Sequence, residues 1–298
     1  MNSAPGKDSR SLYRLFYRFF YISSFLVLIY FLYSGFSFYS TPYGKRPRHE
    51  AYRDLRPAGN IGHALAIIGS AMMLFMLFYS VRKRTKIFGK FGKLSDWLDI
   101  HIYFGIIGPL LVVLHTSFKV QGLVAVSFWS MIAVALSGVF GRYLYQQIPR
   151  DIGGEQLSTL ELDKLKNELT EQLTREIQLD KSPLERLEKE LSASVHEAYG
   201  PVKSLWLLIA GDILNPFKRR KLKAKFKTEF NLPFHLYERV FNIFWERALL
   251  NRRIAFLNQV QTLFYYWHVF HKPFAIIMYL VMLIHVTVAV WLGYVWIF

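Results

Sequence analysis

Five blocks of this chain, at about 19–40, 62–81, 99–118, 123–145 and 273–298, stay apolar for some twenty residues at a stretch. A bilayer core of roughly 30 Å is crossed by about 20 residues of helix. A backbone in lipid must also satisfy its own polar groups, which confines such blocks to helices or a closed barrel. The expected fold class is therefore an all-α integral membrane protein with a five-helix transmembrane bundle. The first block follows Lys7, Arg10, Arg14 and Arg18, as a secretory signal would. Its apolar run is too long for one, and bulky SFYSTPYG stands where a small-residue cleavage site belongs, so it reads as a retained helix.

The pattern divides the chain into helices one to four (1–147), a helical insert (148–267) and helix five (268–298). In the insert, LSTLELDKLKNELTEQLTREIQ repeats Leu at helical spacing, and SPLERLEKELSASVHEAY opens with Ser182 as a cap and Pro183 in the first turn. PVKSLWLLIAGDIL is apolar for about half a crossing, which suits a core or interfacial helix. The basic FKRRKLKAKFK follows. It fits a solvated face, attraction to anionic lipid, or docking of an acidic redox partner, and beside a membrane domain nucleic acid is not expected.

The net charge of +16 is unevenly spread. VRKRTKIFGKFGK, between helices two and three, holds six Lys or Arg, whereas the turn between three and four has only Lys119. Positive loops mark the cytoplasmic side, so the N-terminus and the insert are expected to be cytoplasmic. Lys45, Arg46, Arg48, Arg53 and Arg56, in the loop on the other side, run against that rule.

There are no cysteines, which excludes disulfides, cysteine-ligated iron–sulfur clusters and covalently attached c-type haem. Walker and G-x-G-x-x-G motifs are missing as well, and the insert is too short and too helical for a flavin or nicotinamide domain. The ionisable groups left inside lipid are histidines, and such groups are costly enough to imply a role. HIYFGIIGPLLVVLH (101–115) and HKPFAIIMYLVMLIH (271–285) each begin and end with one. Fourteen residues of helix rise about 21 Å and return nearly to the starting direction. His101 and His115 thus share a face of helix three, and His271 and His285 a face of helix five. With both helices running the same way, the inner pair His101/His271 and the outer pair His115/His285 can meet at matched depths.

Two facing imidazoles are what a six-coordinate haem iron takes, and bundle interiors house such sites. Gly105 and Gly108 lie on the face of His101, where a flat macrocycle needs room. Ala275 and Met278 hold the same offsets from His271, and Pro109 is placed to bend helix three. His268, one turn before His271, is the alternate inner ligand, and His63 is an alternate near the outer pair. Arg142 is placed either to pair a haem propionate or to mark the membrane boundary. Ala133, Ser137 and Gly141 form a small-residue face for helix packing. His49, His196 and His235 receive no role. A zinc or copper site does not fit two pairs so far apart with no joining carboxylate.

These residues resemble the di-haem transmembrane cytochromes b, and most closely the ferric reductase/NADPH oxidase type of membrane domain. The pair spacing is also similar to that of respiratory cytochrome b. The resemblance covers helices one to five only. It implies two b-type haems between helices three and five, liganded by His101, His115, His271 and His285. Reductases of that type continue into a sixth helix and a flavin–nicotinamide domain, whereas this sequence ends after helix five. It therefore implies an electron-transfer subunit of an oxidoreductase complex in a bacterial-type inner membrane, with a partner subunit as donor or acceptor and quinone as the lipid-side partner. A cofactor-free scaffold or transporter, with histidines for packing or proton relay, is the competing expectation.

Overall fold

The computed structural model describes residues 7–85, 92–150, 156–177, 200–230 and 234–293. SPLERLEKELSASVHEAY with His196, and 86–91 of the basic loop, lie outside the described residues. The described residues are helical with no strand beyond one isolated bridge, Arg150 to Gln156. Five segments are long and apolar enough to cross a membrane: Leu15–Ser34, Tyr52–Arg84, Leu94–His115, Leu123–Gln147 and Leu257–Trp291. The chain is an all-α, multi-pass membrane protein.

It divides into two compact units, the first comprising 1–139 and 271–298, the second 140–270. The first begins with α1 (Lys7–Ser34), which gives way at Gly35 to the short α2 (Phe36–Ser40). After a 3-10 turn at Arg46–Arg48 come α3 (Tyr52–Leu55), α4 (Asn60–Phe75), α5 (Leu77–Arg84) and α6 (Leu94–His115). Next are α7 (Leu123–Gln147) as far as Val139 and, from His271 onward, the last helix.

Glycine lets α4 and α6 approach closely. A Cβ on Gly69 would stand 2.9 Å from the Gly108 carbonyl oxygen, and one on Gly108 would stand 3.1 Å from both the Gly69 oxygen and Met73 Cγ. Close backbone approach through small residues is how helices associate in lipid, where burial of apolar surface gives no preference for protein over solvent. A Cβ on Gly105 would meet Met76 Cε at 3.6 Å, an ordinary contact. The small size of Gly108 is thus used in packing α6 against the second span, and that of Gly105 is not required by it. Pro109 is buried within α6, and the helix continues through it.

A methionine layer fills the middle of this unit. Met73, Met131 and Met278, each 2% exposed, pack together with Val112, Phe128 and Met282 around them. Two hydrogen bonds tie the last span in: Ser127 Oγ donates to the Met278 carbonyl at 3.0 Å, and Tyr279 Oη donates to the Met73 carbonyl at 2.6 Å.

The second unit contains the end of α7 from Phe140, then α8 (Thr159–Ile177), α9 (Pro201–Glu229) and α10 (Phe234–Ala255). It closes with the start of α11 (Leu257–Trp291). Helix α11 begins at Leu257 rather than at 268 because Leu257, Val260 and Leu263 are buried with Leu144, Ile148 and Leu208. Pro273 does not interrupt it. A second core is aromatic: Phe226, Phe230, Phe241 and Phe244 are at most 2% exposed, each contributing roughly 1.5–3 kcal/mol of burial. Burial also pushes the Tyr237 phenol above its ordinary pKa, against a smaller opposing pull from Lys223.

A polar knot joins three helices of this unit. Asp212 Oδ2 accepts from Tyr143 Oη (2.9 Å) and Gln147 Nε2 (2.8 Å), while Oδ1 accepts from Arg252 Nη1 (3.0 Å) and Asn215 Nδ2 (3.2 Å). Arg252 Nη2 donates to the Leu208 carbonyl at 2.7 Å. In sequence Arg252 stands in the basic stretch NRR (251–253), which reads with FKRRKLKAKFK as a docking surface for a redox partner. The structure turns it inward, its side chain 13% exposed. The Asp212 side chain is only half-buried, at 32% exposed, and the better buried Arg252 guanidinium finds its counter-charge and hydrogen bonds in the knot.

Candidate functional site

The histidine spacing is realised as two faces. On α6, His101, Gly108 and His115 recur every seven residues, and on α11 so do His271, Met278 and His285. Such steps keep side chains on one side of a helix. On α11 that side is buried at Met278, half-buried at His271 and exposed at His285.

His101 lies against an irregularity in the second span. The helix breaks between α4 and α5 at Met76. The Met76 carbonyl takes the Tyr79 N–H at 3.2 Å, the tighter i+3 pattern, and also faces His101 Nδ1 at 3.2 Å. A carbonyl only accepts, so Nδ1 carries the proton and the lone pair of the neutral ring falls on Nε2. The Tyr79 ring lies 5.1 Å from the imidazole. A cavity of about 300 Å³ opens here, lined by His101 and aromatic side chains that include Phe75, Tyr79, Trp97 and Phe104.

His115 repeats the arrangement on the Gly62 carbonyl, 3.0 Å from Nδ1, and the same tautomer follows. A side chain at Gly62 would collide with the Arg56 carbonyl, so glycine lets the 53–56 backbone close over this turn. His115 is also within electrostatic range of His285 and His63. The structure therefore brings the predicted pair His115/His285 and the alternate His63 into one neighbourhood, with the His285 ring exposed.

Beyond His115 the chain takes two consecutive left-handed residues, Ser117 (φ 47°) and Phe118 (φ 60°). Such a conformation costs of order 1–3 kcal/mol per residue and persists only where the surroundings enforce it. Here they do. Arg46, 7% exposed, donates to the Ser117 carbonyl (2.6 Å), the Tyr39 carbonyl (2.7 Å) and the Thr41 carbonyl (2.8 Å), with the Tyr43 ring 4.2 Å from its guanidinium carbon. Ser117 Oγ donates to the Leu55 carbonyl at 2.6 Å, and Tyr43 Oη donates to the Phe118 carbonyl.

His271 is supported from α7. Its Nδ1 is 2.7 Å from Ser137 Oγ, and the Ser137 proton goes to the Val134 carbonyl at 2.9 Å. The proton of the His271 contact is then on Nδ1, as in His101 and His115. Ser137 therefore does more than present a small packing face, while Gly141 keeps the packing role beneath the Trp267 indole. His268 Nδ1 meets the Phe264 carbonyl of its own helix at 2.9 Å, and its ring sits edge-on to Phe264 and Trp267 in the second unit. Arg142, also in that unit, lies 5.8 Å from the Tyr145 ring.

His49 provides a contrast. Its Nδ1 accepts the Ala51 N–H at 3.1 Å and its Nε2 faces Ser37 Oγ at 3.0 Å, the opposite tautomer. That is a histidine used to hold a loop. Ligating histidines instead donate from one ring nitrogen to a carbonyl or similar acceptor and offer the other to the metal. The donor set of His101, His115 and His271 fits a haem iron on this ground. Among the described residues no three His, Asp or Glu side chains converge as a site for a bare metal ion. Sequence reasoning missed the supports of these rings, the Met76 and Gly62 carbonyls and Ser137. Only the last is a side chain that a sequence could flag.

Comparison with known proteins finds no matching family model, no similar curated protein and no similar solved structure.

Proposed function

We propose that this chain is a membrane cytochrome b subunit with two bis-histidine b-type haem sites, one at His101/His271 and one at His115/His285. It would link a partner oxidoreductase to a quinone or to an acceptor on the far side. One observation carries the reading: His101, His115 and His271 each have Nδ1 engaged, so that Nε2 bears the lone pair on rings set at fixed positions of apolar helices. Haem, when bound, supplies one-electron transfer at its iron. The chain's own part is to hold the imidazoles neutral, fix their orientation through Met76, Gly62 and Ser137, and exclude water with an apolar and methionine-lined interior.

The same reading takes in a soluble or membrane-associated redox partner subunit and anionic lipid, with no nucleic acid. It places the protein in a bacterial-type inner membrane with a cytoplasmic N-terminus, on the strength of the basic loops. Of the five cations in the 41–61 loop that oppose this orientation, Arg46 is taken up inside the fold and does not act as a loop charge.

The test is a dithionite-reduced minus oxidised spectrum of the purified chain, with a pyridine haemochrome count. Two b-type haems per chain are expected, dropping by about half in His115→Ala and likewise in His101→Ala. Protein made with ample haem but showing no α-band would overturn the reading in favour of a cofactor-free scaffold or transporter.

A further inference from the structure

Helix α9 has apolar residues on two opposite faces. One face is covered: Ser204, Leu208 and Gly211, and further on Leu222 and Phe226, are buried. The other is open: Val202, Trp206, Ile213 and Phe217 are 73%, 70%, 66% and 69% exposed. Steps of four, seven and four residues set them in a single stripe that rises about 22 Å along the helix. One turn past Phe217 the same stripe reaches Arg220 and then Lys227, with Lys218, Arg219 and Lys221 beside it.

Three observations identify what covers this stripe. Through Leu208, the covered face packs on Leu144 of α7 and on Val260 and Leu263 of α11, which are the ends of two membrane-crossing helices. The α11 end also carries exposed tyrosines, Tyr265 at 66% and Tyr266 at 50%, a residue type that gathers where a helix leaves lipid. Finally, the one acid of the apolar half, Asp212, is hydrogen-bonded by Tyr143, Gln147 and Asn215 and paired with Arg252, so its charge is engaged away from the stripe.

We propose that the Val202–Phe217 face of α9 lies in the membrane interface as a half-embedded helix, and that the Lys218–Lys227 run continues it over the headgroups of anionic phospholipid. An apolar face with cations on the flanks is the pattern of a helix lying in the bilayer plane, and each added cation near an anionic leaflet strengthens the attachment. Pro216 stands where the apolar half meets the basic half. It has no N–H to give, so the helix can bend there to follow the surface. The inference depends on the membrane spans and not on the histidine sites, so it stands or falls separately from the haem reading.

The chain contains no cysteine, so single cysteines can be introduced without background. Nitroxide labels at Val202→Cys, Trp206→Cys, Ile213→Cys and Phe217→Cys are compared with Glu171→Cys on α8, whose native side chain is 67% exposed. The full chain is placed in phosphatidylcholine vesicles with and without phosphatidylglycerol. In the mixed vesicles the four labels should favour oxygen over a water-soluble nickel chelate by at least ~3-fold relative to the control. A label at Ala224→Cys should become nickel-protected only when phosphatidylglycerol is present, and should lose that protection in high salt. Nickel access at all four positions equal to the control overturns the embedding. Protection with spin–spin broadening that grows with protein-to-lipid ratio overturns it in favour of a second copy. An Ala224→Cys label indifferent to phosphatidylglycerol overturns the headgroup contact. Four independent positions keep the result readable if one variant misfolds.

Discussion

At one end of α6, His115 sits beneath a loop braced by buried Arg46 and by the left-handed pair Ser117–Phe118. At the other, His101 rests on a break in the second span, beside an aromatic cavity. The rings are held alike, Nδ1 to a backbone carbonyl, but the means of presenting that carbonyl differ. At His115 the acceptor is the first turn of α4, brought close by glycine and closed over by hydrogen-bonded loop. At His101 it is a carbonyl made available by a helix that tightens for one turn. One imidazole orientation is thus reached by tertiary closure in the first case and by local backbone distortion in the second, so the first is far more exposed to single side-chain changes.

The sharpest way to break this contrast is Arg46→Ala. It leaves the buried Ser117 carbonyl and the half-buried Tyr39 and Thr41 carbonyls without their charged donor, a loss of about 3 kcal/mol, and should lower the thermal midpoint of the purified protein. If the proposed haem sites are right, haem loss should be confined to the His115 level. A smaller effect, about 2 kcal/mol of overpacking, is expected of Gly69→Val. It lies midway along the seam between α4 and α6, so it should disturb both levels equally; a one-sided spectral change would count against the seam as their common support. Ser137→Ala removes the partner of His271 Nδ1 for about 1 kcal/mol. On the proposed haem reading, the spectrum of the His101/His271 site should shift while that of the His115 site stays as it was.

The smallest effect lies outside the bundle and calibrates the others. At the start of α8, Ser158 N–H and Oγ both donate to the Glu161 carboxylate, at 2.8 and 2.7 Å, and hold its pKa below the usual carboxylate range. A depressed folded-state pKa gives stability that is present above the unfolded value and lost as pH falls through the folded one. Helicity measured by circular dichroism should therefore decline slightly on acidification. Ser158→Ala should shrink that decline, because the folded-state pKa moves back toward the unfolded one, and leave both histidine levels untouched.

Much of the bundle was legible because lipid imposes a length and a composition on each span. The start of the fifth span was not. LNQVQTLFYYWHVF is too polar to read as membrane, and its Leu257, Val260 and Leu263 are apolar for the sake of the second unit's core. The histidine faces were legible from spacing alone. Their supports were not, since the acceptors at Met76 and Gly62 are main-chain atoms and depend on which backbone approaches. Gly105 and Gly108 were visible as small residues, but nothing local says whether a small residue makes room for a ligand or for another helix. Arg252 shows the same ambiguity for charge: in sequence it is one of three polar neighbours, and only its distance to Asp212 makes it internal.

The methionine layer has a consequence for chemical durability. Thioethers fill the interior between the two histidine levels, and oxidation would turn each from a pliable apolar filler into a polar sulfoxide. Met73, Met131 and Met278 are almost wholly enclosed, whereas Met72 and Met282 are only partly so. A reactive oxygen species generated nearby would meet those two first. They would be modified before the central three, which leaves the contacts that join the second, fourth and fifth spans intact until last.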